Sequence, residues 1–459
     1  MPEKITDYLE TAGDQIRWKR ARPVLTAELR THLLEQRDAC LDQGMDQEAA
    51  EAEALRQMGD PVDVGRELDR VHRPRPQWGL LLLIGLLALT GGILRVALTA
   101  GTRDAVGLPQ TVLAVALGFG CLLGGYFLDY TFLGRHPRAV YLGALALGLL
   151  SLWLSPHVNH ASYYTRYVVL LYPCVYAVVV YALRDKGWKG LLLAVLGAVP
   201  LAVIALLAPY ALGLLVLLAA GFFLLLLAVR KGWFGVSRTA GTLALLSVLL
   251  LMIGAVLYQY FFQGVYHSRL LLLLHPELDP LGNGYMALSI RGALEGARWL
   301  GEGVLGGNLE GASMPCWMLV PESRGDALLT MLIHYVGWLP FLALTLALAG
   351  LLVWVLVKCA RQKNALGRLA SLAVALTLGL QALASLCLNL GYVFTSASFP
   401  LVTGNLHTML DLGLLGLALS VFRQEHLPVP APACRPEAPR RPLISWRDGD
   451  LVIALGRKS

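Results

Sequence analysis

Residues 188–229 read WKGLLLAVLGAVPLAVIALLAPYALGLLVLLAAGFFLLLLAV. Lys189 is the one charged side chain in this run, and Pro209 lies near its middle. About 20 apolar residues in a helix cross a hydrocarbon core about 30 Å thick. The run is twice that length, and proline breaks a helix interior by removing a backbone donor. It therefore reads as two membrane spans, 188–208 and 210–229, divided at Pro209. Barrel strands would alternate apolar and polar residues. Here the apolar runs are continuous, so the spans are helices.

Working outward, further apolar runs occupy about 78–99, 108–130, 138–155, 163–183, 240–262, 327–357, 369–392 and 405–422. The expected fold class is an all-α polytopic membrane protein with about ten transmembrane helices. Composition agrees: of 459 residues 56% are hydrophobic and 15% charged, against about 25% charged in soluble domains. The net charge of +7 does not mark a nucleic-acid binder, because the basic residues gather at the ends of apolar runs. Arg135, Arg138, Arg184, Lys186, Lys189, Arg230, Lys231, Arg238, Lys358, Arg361, Lys363 and Arg368 fall on one set of connections. The alternate short connections carry only Arg103. The positive-inside rule puts the basic set and both termini in the cytoplasm, and this alternation requires ten spans.

Residues 1–72 read as a small cytoplasmic helical domain. Pro23 opens a helix to Asp42 with Leu25, Leu29 and Leu33 on one stripe, Asp46 caps a second over Gln47–Met58, and Pro61 starts a third. The first 77 residues hold no apolar signal-like run, so no cleaved leader is expected. Residues 73–77 form a stiff basic linker, 78–424 the membrane domain, and 425–459 a proline-rich cytoplasmic tail ending in a candidate hairpin around Asp448-Gly449-Asp450. The seven cysteines form no CxxC pair and have no metal-ligand spacing.

Between spans seven and eight lies a large loop, 263–326, placed outside the membrane by the same topology. Long loops in compact proteins are functional or disordered, and this one has turn residues, aromatics and paired charges. Asp326 closes it. A carboxylate there can remove a proton from a sugar hydroxyl, or cap the helix expected from Ala327. Glu322 and Arg324 stand just before it. Together the group can hold a pyrophosphate, through arginine or through a divalent cation on the carboxylates. Arg269 and Arg291 are further candidates for anionic head groups. Within the spans, Arg166 either snorkels to the interface or faces a cavity. His334, two turns below Asp326, either lines the same cavity or is a packing residue. His407 and Asp411 share a helix face, and Asn389 can bond across helices. No P-loop, dinucleotide-binding fingerprint, HExxH or GxSxG occurs, so no cofactor is indicated beyond that candidate cation.

The loop resembles that of the bacterial SEDS family, the FtsW/RodA/SpoVE proteins. The likeness rests on Tyr266-x-x-Arg269, Pro276-x-x-Asp279-Pro280, Gly282-x-Gly284-Tyr285, Gly301-x-Gly303 and Pro321-Glu322-x-x-x-Asp326. Asn389-Leu390-Gly391, Thr395 and Pro400-Leu401 resemble the start of the family's last conserved segment. The resemblance implies a peptidoglycan glycosyltransferase working on an undecaprenyl-linked disaccharide precursor beside a class B penicillin-binding protein. It implies a bacterial cytoplasmic membrane location and a part in division, cell shape or sporulation, with Asp326 as the essential acid. Arg269, Glu322, Arg324, Arg166 and His334 are then the expected substrate-binding residues.

The N-terminal domain is similar to the permease-prefix domain. Departures from the family's motifs occur at Tyr172-Pro173-Cys174-Val175 with Val178, at Ala208-Pro209-Tyr210, at His334-Tyr335 and at Thr403-Gly404-Asn405-Leu406-His407-Thr408. Two alternatives stay open: a non-catalytic scaffold or precursor-binding protein, and a flippase for the same lipid.

Overall fold

The structure is a computed structural model. It describes residues 3–19, 21–73, 76–99, 107–158, 161–262, 271–323, 325–424, 444–447 and 450–453. Two compact units emerge: Arg75–Glu425, and Met1–Pro74 with His426–Ser459.

In the first 74 residues four helices pack together: Glu3–Asp14, Arg22–Asp42, Gln47–Met58 and Pro61–His72. The Asp46 carboxylate accepts from the Ala49 N–H at 3.0 Å, capping the third as expected. Leu25, Leu29 and Leu33 are buried. The helix Glu3–Asp14 is an addition to the sequence reading. It buries Ile5, Tyr8 and Ala12 and ties back through Tyr8 Oη, which donates to the Gly59 carbonyl at 3.0 Å. In the tail, strands Ile444–Arg447 and Asp450–Ile453 pair antiparallel as a hairpin.

In the larger unit, nine helices among the described residues are long and apolar enough to cross a membrane. They are Trp78–Thr99, Leu108–Phe127, Pro137–Leu154, Thr165–Ala182, Gly187–Leu207, Ala211–Arg230, Trp338–Arg361, Ala365–Asn389 and Leu406–Arg423. The 25-residue helix Arg238–Phe262 stands where span seven was expected. This is a multi-pass, all-α membrane protein. The chain does break at Pro209, between Leu207 and Ala211.

Span eight departs from expectation. The run 327–357 is not one helix but two, Leu328–Tyr335 and Trp338–Arg361, separated at Gly337 with φ 118°. Loop backbone wedges into the gap: Trp338 and Leu339 N–H groups donate to the Arg298 and Trp299 carbonyls at 3.0 and 3.1 Å. A Cβ on Gly337 would lie 2.6 Å from the Trp299 oxygen, so glycine is required on both steric and dihedral grounds.

Span nine is the hub, packing against spans four, six, eight and ten. Its hydroxyls are satisfied internally, Ser371 and Thr377 donating to carbonyls four residues back at 2.8 Å. Spans two and ten approach through glycines, the contact that lets membrane helices pack without a hydrophobic drive. A Cβ on Gly125 would lie 2.8 Å from the Gly413 oxygen, and one on Gly416 would collide with the Leu122 oxygen. Gly124, one residue along, has open space. Gly416→Ala should therefore lower stability by about 1–3 kcal/mol through overpacking. Gly124→Ala should be neutral or slightly stabilising through helix propensity. Thermal unfolding in detergent micelles compares the two.

Candidate active site

The described part of the long loop is ordered by its own turn chemistry. The Asp279 carboxylate accepts from the Asn283 N–H at 2.9 Å, and the Asp279 carbonyl from the Gly284 N–H at 3.1 Å. Gly282 and Gly284 have no room for a Cβ against Asp279 and the Pro276 carbonyl. This turn launches helix Tyr285–Glu295. Arg291 on that helix donates to the Gly391 and Leu273 carbonyls at 3.3 and 3.4 Å and lies over the Tyr392 ring. Its guanidinium thus ties the loop to the end of span nine rather than waiting for an anion. The glycine-rich run is stitched to the broken helix: Gly301 and Gly303 donate to the Val336 and His334 carbonyls, each at 2.8 Å.

The loop ends in a tight turn. Glu322 has φ 53°, and its carbonyl accepts from Gly325 and Ala327 N–H groups at 2.9 and 3.0 Å. Its carboxylate is exposed. Asp326 follows, and its side chain does not cap the next helix. The N-cap there is Ala327, with no side-chain cap bond of its own. The capping comes from across the bundle: Asn389 Oδ1 accepts from Thr330 N and Oγ1 at 2.9 and 3.0 Å, while Asn389 Nδ2 donates to the Asp326 carbonyl at 2.7 Å. The Asp326 carboxylate is left for other partners. Ser398 Oγ donates to its Oδ1 at 2.8 Å, and Ser396 Oγ donates to its Oδ2. The residue is 9% exposed. An ionised carboxylate has about four acceptor positions, so two hydroxyls fix its orientation and leave capacity for an incoming donor.

Around this acid the spans bring a cationic and aromatic group. Arg166 in span four is partly buried against tyrosines. It lies 4.5 Å over Tyr163 and 4.9 Å over Tyr167 and donates to Tyr167 Oη at 2.9 Å. Its Nε is buried with no partner among the described residues. The Tyr167 ring stands 4.7 Å from His407, and His407 lies within electrostatic reach of both Arg166 and Asp326. Between spans five and six, the Tyr210 phenol is pushed up by burial and then by the Asp326 charge.

His334 is not part of this group. Its Nδ1 lies 3.1 Å from the Ala293 carbonyl, and it lines a separate loop cavity of about 450 Å³ with Glu302, Cys316 and Tyr335. There burial pushes the Cys316 thiol up to about 12. The expectation that His334 shares a cavity with Asp326 is thus corrected: its carbonyl and ring both face the loop. Arg269 and Arg324 lie outside the described residues. The serines were missed in the sequence. Their signal is the Ser396-Ala397-Ser398 spacing, two hydroxyls two residues apart that both reach the Asp326 carboxylate.

No family model matches the chain. It is 28% identical over 179 residues to a probable peptidoglycan glycosyltransferase FtsW of Thioalkalivibrio sp. (strain K90mix), covering 38% of this chain and 43% of that one. The chain spans about two fifths of the length of the curated relatives it matches. Its fold matches a chain of a peptidoglycan synthase complex solved for its coordination of polymerization and crosslinking. That match has TM-score 0.60 and 21% identity, over 76% of this chain and 98% of the other. The rod shape determining protein RodA of Thermus thermophilus matches with TM-score 0.50 and 19% identity, over 76% and 97%.

The chain shares its fold with these solved proteins. In span four the fully buried Val178 and the partly buried Val175 line an apolar surface.

Asn389→Ala should leave the Thr330 N–H and Asp326 carbonyl buried and unpaired, at about 1–3 kcal/mol each. The expected result is a lower melting temperature together with faster proteolysis at the loop boundary, both measured on protein in detergent.

Proposed function

We propose that this protein is a SEDS-type cell-wall glycosyltransferase that extends peptidoglycan from an undecaprenyl-linked disaccharide precursor, with Asp326 as general base. One observation carries the reading. An open apolar groove of about 620 Å³ runs between spans two, four and ten and includes Tyr167, the same tyrosine that holds Arg166 and packs at a tilt against His407, which lies within electrostatic reach of Asp326. A lipid chain in the groove would bring its head group to a cation and a carboxylate.

In this mechanism Asp326 takes the proton of the acceptor sugar hydroxyl. The oxygen attacks the donor's anomeric carbon, and the bond from that carbon to the lipid diphosphate breaks with its electron pair leaving on phosphate. Ser396 and Ser398 aim the carboxylate. Arg166, with a free Nε, stabilises the departing diphosphate. A divalent cation does not fit the described residues. Glu322 is exposed, and no cluster of three ligating side chains occurs among the described residues. No step is routed through a metal.

The basic connections support a cytoplasmic location for both termini and an outer location for the loop. The helical N-terminal domain is then a docking or regulatory module. The relative solved within a synthase complex supports a crosslinking partner of the class B penicillin-binding type. A second reading, precursor binding without catalysis, is favoured by the valines of span four, which make the groove apolar where the family carries acid and base.

Asp326→Asn should lower kcat by at least about 10²-fold, the usual worth of a general base, with little change in KM. Glycan formation from labelled lipid-linked precursor by purified protein measures it. Wild-type protein that makes no glycan, with cells indifferent to Asp326→Asn, sinks the enzymatic reading. Arg166→Met should instead raise KM and lower kcat together, and Arg166→Lys should not restore them, because the stacked planar guanidinium is not replaced by an ammonium.

A further inference from the structure

The residues that aim Asp326 sit on a segment with little backbone support of its own. Between the end of span nine and the start of span ten, residues 390–404 form neither helix nor strand. From Thr395 to Leu401, the one backbone N–H with a partner among the described residues is that of Leu401. Its partner is a side chain: Asp411 Oδ2, at 3.1 Å.

Asp411 lies on span ten and is fully buried. Its other oxygen has no partner among the described residues. A carboxylate of this kind inside a membrane bundle is costly and persists for a reason. Leu401, meanwhile, has φ 65°, a left-handed conformation unfavourable for leucine. The surroundings must impose it. Two features do so. The Asp411 carboxylate holds the Leu401 N–H from one side. From the other, span one presents Gly91, where a Cβ would lie 2.6 Å from both the Leu401 oxygen and the Val402 Cα. The turn continues into Thr403, whose N–H and hydroxyl both donate to the Phe399 carbonyl at 3.1 Å.

We propose that Asp411 is a positioning residue that anchors the left-handed turn at Leu401 and thereby holds Ser396 and Ser398 against the Asp326 carboxylate. The turn begins three residues after Ser398, so its release frees the extended stretch carrying both hydroxyls. This function as a positioning residue rests on the reading of Asp326 as the general base.

The test uses the full-length protein in lipid nanodiscs, with three variants at one site. Asp411→Asn keeps an oxygen that accepts from the Leu401 N–H; Asp411→Ala and Asp411→Leu do not. Hydrogen exchange by mass spectrometry follows the peptide containing Leu401, and carbodiimide labelling follows Asp326. Expected for Ala and Leu is exchange about tenfold faster at the turn, the effect of losing one hydrogen bond, with Asp326 labelling raised to match a Ser396→Ala/Ser398→Ala double variant. Asp411→Asn should restore wild-type values in both. Glycan assays should then show a kcat loss in Ala and Leu with KM held, recovered in Asn.

Unchanged exchange and labelling in Ala and Leu overturn the proposal. So does an Asn variant that exchanges and labels faster than wild type, and this arm decides even where Ala and Leu fail to fold. Absence of glycan from the wild type overturns the glycosyltransferase reading alone, since the placement of Asp326 is judged by the two chemical readouts.

Discussion

The hydrogen bonds of Asn389 are the constraint on which the site depends. Where the long loop re-enters the bundle, the first turn of Leu328–Tyr335 has backbone N–H groups with no intrahelical partner. Buried in a membrane domain, such groups must be satisfied within the protein. An aspartate at the boundary is the ordinary solution, and Asp326 stands in the place to provide it. Asn389 caps the helix instead, with Oδ1 on Thr330 and Nδ2 on the Asp326 carbonyl. One amide thus closes the helix end, fixes the Asp326 backbone, and releases the carboxylate to Ser396 and Ser398.

The same economy explains why span eight is broken. Val336-Gly337 lies inside an unbroken apolar run, and nothing in its hydropathy marks a gap. The gap is made by a distant part of the chain, the backbone of Arg298, Trp299, Gly301 and Gly303, which bonds on either side of it. Tertiary hydrogen bonding overrides local propensity here, so a reading by periodicity had no access to it. By contrast, the break at Pro209 and the Asp46 cap were legible because each is caused by the residue at that position. The N-terminal helix Glu3–Asp14 fell between these cases: its buried positions Ile5, Tyr8 and Ala12 keep helical spacing, but they are too few to stand out from a polar sequence.

For the site, the acid was legible and its partners were not. Asp326 was found through a loop pattern whose physical basis is now plain: Asp279, Gly282 and Gly284 are needed by one turn, and Gly301 and Gly303 by the stitching to the broken helix. Those residues build the frame. Arg166 was identified as an intramembrane cation, and the tyrosines that hold it emerge only from packing. His334 looked equivalent by depth, yet a helix offers several faces at one depth. Its face meets Ala293 in the loop. Helical position fixes height in the bundle far better than azimuth.

Among the described residues, Arg166 has tyrosines and no ion-paired carboxylate as neighbours. This suits a reaction in which charge moves. In the proposed reaction Asp326 takes up the sugar proton as the diphosphate departs with new negative charge. The charge that Arg166 would meet then grows as the bond breaks, so its stabilisation is larger in the transition state than before it. Only such differential stabilisation raises a rate. A permanent acid beside Arg166 would keep the field neutralised throughout and remove this advantage. The aromatic cradle supplies the alternative: it holds the guanidinium in place through its faces and one phenol, and leaves its full charge for the diphosphate.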